Sequence, residues 1–338
     1  MTPSLLAVAP VAHPGGAEMI LLRLLRGLRR RGWRVTLTTP GPGKLADLAA
    51  AEGVALERLD LGGLGRGRGL RAVAAWPRAR RLAGRHDVTY LNGTVCGRLL
   101  PVLRGRRTVL HVHDMVRRVP RMWRGADVVL ADSRAVADRL PGLGARVAHP
   151  PVELDPAPVA APWPEGPGPV VGFVGRIEPR KGVLDLVRAA PAIRRGAPGA
   201  RIVVIGDDDY EVDRDYRAAV TGSGEIEHHP WMDGATGLMG HLDVLVLPSR
   251  REPAGTVLAE AMAAGTPVVA SRVDGLPEIV ADGRTGRLVA PGDPDALAAA
   301  VLDVLEHRDE MGRAARDDAR RFGLEAFVDA VEPLLLAR

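Results

Sequence analysis

The run Leu242-Asp-Val-Leu-Val-Leu247 is apolar at nearly every position. A strand without inside–outside alternation is covered on both faces, as in a parallel sheet held between helices. Pro248 ends the run. A loop follows, a helix opens at Gly255, and a second apolar strand closes the unit at Gly265-Thr-Pro-Val-Val-Ala-Ser271. The first half of the chain alternates in the same way. Strand-like runs fall at 5–9, 34–39, 55–59, 87–92, 108–113, 127–131 and 145–149. Helical stretches fall between them at 17–31, 44–52, 70–83, 97–103 and 133–140. Alternation at this spacing predicts α/β folding around doubly wound parallel sheets. Such sheets bind ligands beyond the carboxyl ends of their strands.

The stretch from Ser249 to Ser271 carries chemistry as well as fold. A helix opening at Gly255 presents the amides of Gly255, Thr256 and Val257 as first-turn donors, a setting that suits a phosphate. Glu252 lies in the loop before that helix and Glu260 on its second turn. With an anion at the helix start, Glu260 reaches sugar hydroxyls beside it, and Glu252 touches what the phosphate carries. Taken alone, two glutamates read more simply as a polar loop and a solvated helix face. Upstream, Val170-Val-Gly-Phe-Val-Gly175 leads into Arg176-Ile-Glu-Pro-Arg-Lys181-Gly182 and a further helical run. This is a strand, a glycine turn, two cations five apart and a helix. Gly175 permits close backbone approach to a ligand. Arg176 offers a planar fork of donors and Lys181 a point charge, a pair matched to a diphosphate. Of the 46 basic residues only Lys44 and Lys181 are lysine, leaving 46 − 2 = 44 arginines, so a lysine at this place stands out.

Taken together, the two segments resemble the nucleotide-sugar half of GT-B glycosyltransferases, specifically glycosyltransferase family 4. Gly175-Arg176, Lys181-Gly182, Glu252, Glu260 and the 265–271 strand fall in the family's order. The resemblance implies two Rossmann-like doubly wound parallel-sheet domains facing a central cleft. It implies that Arg176 and Lys181 hold the donor diphosphate, and that Glu252 and Glu260 hold the sugar and the ribose. The Gly15-Gly16 turn would face the donor phosphate, and His113 of the His113-Asp114 pair would stand beside the transferred sugar. Trp231 and Met232, in the loop after His228-His229-Pro230, would border the nucleobase. Transfer with retention of configuration and without a metal is likewise what the resemblance implies. Ala254 departs from it, standing where family members commonly carry Phe.

A chain of 338 residues, with 46% hydrophobic and 26% charged residues, has the material for two globular domains. The expected division is 1–150 for an acceptor-side domain, 151–169 for a proline-rich linker, 170–322 for the nucleotide-sugar domain, and 323–338 for a helix returning to the first domain. Cys96 is the only cysteine, so no intrachain disulfide framework exists. The apolar run at 4–9 is too short for a membrane span and reads as a first strand, giving the expectation of a cytoplasmic protein.

Charge divides unevenly along the chain. Residues 1–150 hold 26 basic and 10 acidic side chains (+16), and the remainder 20 and 31 (−11), which sum to the net +5. A basic half suits an anionic acceptor, an acidic membrane surface or nucleic acid. The helix 17–31 sets Leu21, Leu24, Leu25 and Leu28 against a crowd of arginines, and Arg117–Arg124 places Met122 and Trp123 among cations. That last stretch is the expected acceptor or membrane contact. No nucleic-acid motif is present and aromatics are 3%, few for base stacking. The Gly15-Gly16 turn is not a GxGxxG fingerprint, which argues against a nicotinamide site.

Three further features have plain readings. His111 and His113 are two apart on one strand face; a metal pair is possible there, but no further ligand cluster in the sequence supports it, and the resemblance implies that His113 is the active-site histidine, that His111 is packed and that no metal is required. Asp132-Ser133 reads as a helix cap. Asp207–Asp209 follow a strand and glycine, and the cations at 176 and 181 already suit the diphosphate, so the three acids are not read as a metal motif. The expected function is transfer of a sugar from a UDP- or GDP-type nucleotide donor, with no other cofactor, to a hydroxyl of a lipid-linked, glycan or natural-product acceptor. A sugar-nucleotide epimerase of the same fold and a basic nucleic-acid-binding protein are the alternatives.

Overall fold

The structure is a computed structural model that describes residues 2–62, 69–164, 166–207, 213–232 and 234–336. It divides into two compact units. One runs to Pro151 and resumes from Leu324; the other is Val152–Gly323.

The first unit is built on β1 (Ser4–Val8), β2 (Arg34–Thr39), β3 (Ala55–Arg58), β4 (Val88–Asn92), β5 (Arg107–Val112), β6 (Val128–Ala131) and β7 (Arg146–Val147). All pair in parallel, in the order β3-β2-β1-β4-β5-β6-β7. The central strands are buried at every position, as their unbroken apolar runs require. The order reverses between β1 and β4. The register pairs Asn92 with His111 and Val112 with Ala131, which brings the next residues along, His113 and Asp132, to one end of the sheet.

The helix Gly16–Arg30 buries Leu21, Leu24, Leu25 and Leu28 in the same core as Phe327, Val328, Val331 and Leu335 of the C-terminal helix Leu324–Leu336. A Cβ on Gly27 would lie 2.5 Å from Val328 Cγ2, so glycine sets how closely the two helices approach. Arg31 then donates to Glu325, Asp329 and Glu332 at 2.9, 2.6 and 2.8 Å, one acid per turn of the C-terminal helix, and Trp33 Nε1 donates to Glu332 at 2.7 Å. These arginines are structural in part. Arg23 is buried and donates to the Pro151 carbonyl at 2.7 Å. The amphipathic reading of residues 17–31 therefore fails at Arg23, because this helix is covered on more than its leucine side.

Two other expectations are corrected. Trp123, placed at an exposed contact, is 3% exposed and packs over Gly97, where a Cβ would sit 2.4 Å from its indole nitrogen. Only Met122 of that pair faces outward, at 43% exposure. The 97–103 helix is a single tight turn over Cys96–Leu99. Of a further basic stretch in the sequence, Arg66–Arg71, Arg66 and Arg68 lie outside the described residues.

The second unit carries β8 (Val170–Val174), β9 (Arg201–Ile205), β10 (Glu227–His229), β11 (Val244–Leu247), β12 (Val268–Ser271) and β13 (Gly286–Val289). All are parallel, in the order β10-β9-β8-β11-β12-β13. The proline-rich stretch 151–169 is not a bare tether. Val152 bridges to Gly323, and Trp163 is buried with its ring 5.7 Å from that of His229. Among the described residues no helix is long and apolar enough to cross a membrane.

Candidate functional site

In the second unit the strand order reverses between β8 and β11. Loops leaving two such neighbours turn to opposite faces and open a crevice at the strands' carboxyl ends. Those loops are 175–182 and 248–255, the two stretches singled out in the sequence. They are tied together. Arg250 N donates to the Arg180 carbonyl at 2.8 Å, and Arg180 Nη1 donates to the Arg251 carbonyl at 3.0 Å. Arg250 Nη2 donates to both oxygens of Asp185 at 3.0 and 2.8 Å. Gly182 takes φ +67 and lies so close to the Pro248 carbonyl that a Cβ would sit 2.1 Å from its oxygen.

Lys181 and Glu252 meet at the seam. Lys181 Nζ donates to Glu252 Oε2 at 2.5 Å, Arg180 stands 3.6 Å from the same oxygen, and Ser249 Oγ donates to it at 3.3 Å. Glu252 is 8% exposed. Burial pushes its carboxyl up, but the Lys181 and Arg180 cations outweigh burial and hold it below the usual range. Its backbone N–H donates to Asp274 Oδ2 at 2.9 Å. Asp274 is the one non-glycine among the described residues with positive φ, at 44°, a costly conformation that places this acceptor. Glu252 is thereby fixed at both backbone and side chain. The helix Thr256–Ala264 starts at Gly255 in the left-handed region and carries no side-chain cap. Thr256, Val257 and Glu260 lie on its first turns, half-buried. Arg176 is more open, 3.4 Å from Glu178. Trp231 is 52% exposed after β10, while Met232 packs partly on the core. The carboxylate of Asp207 accepts from Arg217 at 2.6 Å; Asp208 and Asp209 lie outside the described residues.

The first unit has a second constellation at its own strand ends. His113 Nδ1 lies 3.0 Å from each oxygen of Asp132, and His113 Nε2 lies 3.0 Å from Asn92 Oδ1. His111 Nδ1 lies 2.5 Å from the Tyr90 hydroxyl. Its Nε2 lies 2.9 Å from Asp132 Oδ1, so that carboxylate faces both histidine rings. Gly15 caps the helix Gly16–Arg30, and its N–H is already taken by Glu18 Oε2 at 3.0 Å. The helix cap read at Asp132-Ser133 belongs to Ser133, whose hydroxyl accepts from Val136 N at 3.1 Å. Asp132 serves the two histidines. The nitrogens of His111 and His113 and the Asp132 carboxylate, which follows β6, lie within 4.8 Å of one another, close enough that the three could hold a metal ion.

The electrostatics of this cluster follow from burial. Desolvation pushes Asp132 up, but His113 and then His111 outweigh it and leave the carboxyl well below the ordinary range. Burial pushes His113 down, but Asp132 wins and its pKa is raised. Burial, then the charge of His113, push His111 down from 6.5 to about 4. The signs differ. His113 adds stability below its unfolded pKa and loses it as pH rises through its raised value. His111 is the reverse: below 6.5 the unfolded chain takes up a proton that the folded chain refuses until about pH 4. The first unit is therefore expected to lose on the order of 3 kcal/mol of stability across that window through His111. Thermal melts followed between neutral pH and that lower limit check this, with His111→Gln flattening the slope; equal slopes contradict it.

Residues 14–156 match the family model described as Glycosyltransferase Family 4, and residues 168–307 match that described as Glycosyl transferases group 1. The first model takes in the His113–Asp132 cluster and the second both loops of the Lys181–Glu252 seam. The chain belongs to the family 4 type of GT-B glycosyltransferases. It is similar along nearly its whole length to the lipopolysaccharide core biosynthesis glycosyltransferase LpsE of Rhizobium meliloti, 28% identical over 346 residues, 96% of each protein. Glycogen synthase of Mycobacterium tuberculosis is 38% identical over 172 residues, 48% of this chain, and the matched part spans about two fifths of that relative's length (41%). HepE of Anabaena, solved in complex with UDP and glucose, shares the fold with a TM-score of 0.82 and 21% identity, over 99% of this chain and 100% of HepE.

Within this glycosyltransferase framework the structure brings Lys181, Glu252 and Gly255–Val257 to one seam. Several participants were not read from the sequence. Arg180, Asp185 and Asp274 brace the seam, and Tyr90, Asn92, Glu18 and Asp132 surround the histidines. Only the doubling Arg180-Lys181 carried a local signal; the others are joined to their partners across 19 to 75 residues of chain.

Proposed function

We propose that the chain transfers a sugar from a UDP- or GDP-type nucleoside diphosphate sugar to an acceptor hydroxyl, with retention and without a metal ion. The observation that carries this reading is the seam, where a lysine, two arginines and an uncapped helix N-terminus converge at the switch point of a parallel sheet. As the bond from the anomeric carbon to the diphosphate lengthens, negative charge grows on the leaving oxygen. Arg176, Lys181 and the first-turn amides at Gly255–Val257 stabilise that charge without reorganising. Lys181 and Glu252 pair with each other; a bound donor replaces that one bond with two, a phosphate on Lys181 and a sugar hydroxyl on Glu252. Glu260 takes the ribose hydroxyls, Trp231 and Met232 border the base, and His113 stands at the sugar.

The family membership and the UDP and glucose bound by HepE support the donor class. The name of LpsE supports a glycan or lipid-linked acceptor within the wider set that includes natural products. We place the protein in the cytoplasm, with peripheral membrane contact through the basic half and no nucleic-acid partner. The test is incubation of labelled UDP- and GDP-sugars with acceptor panels, in EDTA, with the product anomer read by NMR. Transfer giving the donor's anomeric configuration supports the reading. A changed sugar product formed with no acceptor added points to an epimerase, and activity abolished by EDTA contradicts metal independence.

A further inference from the structure

The sheet of the first unit is covered on both faces, and the two covering layers differ in charge. Leu5 and Ala7 of β1 enter the core shared by the helices Gly16–Arg30 and Leu324–Leu336. Leu6 and Val8 point the opposite way, into a second core with Ala79 and Leu82 of the helix Gly69–Ala83 and with Trp123. In the first layer arginine is paired with acid: Arg31 with three carboxylates, and Arg26 Nε with Glu52 Oε1 at 2.9 Å. Residues 69–126 build the second layer, with β4 and β5 beneath it. They hold 13 arginines and two acids, Asp87 and Asp114.

Three pieces of that second layer lie side by side. Trp76 Nε1 donates to the Arg98 carbonyl at 3.2 Å and Arg80 Nη1 to the Val102 carbonyl at 2.6 Å, which ties the helix to the segment after β4. Trp123 packs over Gly97 of the same segment and brings in the turn Arg121–Gly125. The outside of this layer carries apolar side chains. Leu70, Val73, Ala74 and Pro77 follow the i, i+3, i+4, i+7 spacing of one helical stripe, and all four are exposed, Leu70 by 77% and Val73 by 50%. Arg81 continues that stripe by one turn. On the neighbouring turn Met122 is exposed between Arg121 and Arg124, which eclipse each other at i and i+3. Arg81, Arg117, Arg118, Arg121 and Arg124 are all exposed, and their side chains make no ion pair or hydrogen bond among the described residues.

We propose that this layer is the docking surface for an anionic bilayer, with Leu70, Val73, Pro77 and Met122 at the boundary of headgroups and acyl chains and the unpaired arginines on lipid phosphates. The mixture of side chains selects the occupant. An excess of 13 − 2 = 11 positive charges calls for a polyanion. The exposed apolar stripe calls for an apolar phase. Nucleic acid meets the first need and not the second, because aliphatic side chains offer no ring for bases to stack on. A second copy of the chain meets the second and not the first, because it would set two basic faces against each other. The proposal rests on the reading of a peripheral membrane contact and not on sugar transfer. It places that contact on the layer 69–126 and removes it from the helix Gly16–Arg30, whose leucines are buried.

The test is sedimentation of the full-length protein with vesicles of mixed phosphatidylglycerol and phosphatidylcholine, and with vesicles of phosphatidylcholine alone. Wild type is expected to bind the mixed vesicles, to bind the neutral ones at least about tenfold more weakly, and to be released by added salt. Leu70→Gln/Val73→Gln and Arg121→Gln/Arg124→Gln change exposed side chains and should melt like wild type, yet each should lower partition on the order of tenfold. Arg29→Gln/Arg30→Gln removes the same charge from the exposed end of the helix Gly16–Arg30 and should lower partition far less. Equal binding by wild type and all three variants leaves a membrane contact standing and overturns its placement on this layer. No binding of wild type to the mixed vesicles overturns both, and leaves the layer to an acidic protein or to nucleic acid. Self-association of wild type without lipid, relieved by Leu70→Gln/Val73→Gln in analytical ultracentrifugation, overturns the proposal in favour of a second copy. None of these readouts needs sugar transfer, so failure of the donor reading stays separate.

Discussion

Lys181→Ala is expected to lower sugar transfer by a factor on the order of 10² or more, the size of effect seen when one fixed donor to a developing negative charge is removed. The structure adds a second consequence. Lys181 is the closest partner of Glu252, which is 8% exposed, so the substitution leaves that carboxylate short of a cation. Arg180 at 3.6 Å and Ser249 at 3.3 Å remain, so the charge is not wholly stranded. Some loss of stability in the second unit accompanies the loss of turnover, below the roughly 3–5 kcal/mol of a fully orphaned buried charge. Adding Glu252→Gln removes the unpaired charge. The double variant is expected to melt closer to wild type than Lys181→Ala while transferring no faster. Steady-state kinetics and melting curves on the three proteins separate the two effects; wild-type turnover in folded Lys181→Ala contradicts the phosphate assignment.

Gly182→Ala is expected to have the largest structural effect of any single methyl group at the seam. Gly182 has φ +67 and its missing Cβ would lie 2.1 Å from the Pro248 carbonyl oxygen. A rigid backbone atom is in the way, so the loops must separate. Gly224 is a natural control, with φ +70 and nothing near its absent Cβ. Alanine at 224 meets only the left-handed conformation, about 1–2 kcal/mol. Alanine at 182 meets that and the collision, so its destabilisation should exceed the control by about 1–3 kcal/mol. Hydrogen exchange in β8 and β11 reads the difference locally, and donor turnover should fall with it because Lys181 is the adjacent residue. Equal destabilisation by the two substitutions contradicts the close loop packing.

The parts legible in the sequence were those encoded locally. Continuous apolar runs such as 242–247 and 170–174 specify buried parallel strands, and glycines at the turns mark where helices begin. The cations at 176 and 181 and the acids at 252 and 260 are recognisable because their spacing is tied to one loop and one helix. What the sequence did not disclose depends on register. Asp132 looks like a cap because it precedes Ser133 and a helical run, and nothing within ten residues of it names His113 as its partner; the pairing of β5 with β6 does. Trp123 looks like a surface anchor because cations flank it, yet Gly97, 26 positions away, leaves the hole it fills. Arg23 sits in a basic pattern but is spent on the Pro151 carbonyl. The Lys181–Glu252 bond likewise joins residues 71 apart, each read separately as a ligand for substrate.

The central claim is that the seam between loops 175–182 and 248–255 binds a nucleoside diphosphate. The most direct measurement is the thermal stability of wild type and of Lys181→Ala across UDP, GDP, ADP and TDP, with EDTA present. A diphosphate held at about 100 times its Kd adds about 2.7 kcal/mol to the folded state. The account predicts that at least one of the four raises the melting temperature of wild type and that the same nucleotide leaves Lys181→Ala unmoved. Stabilisation of both proteins alike, or of neither by any of the four, contradicts it.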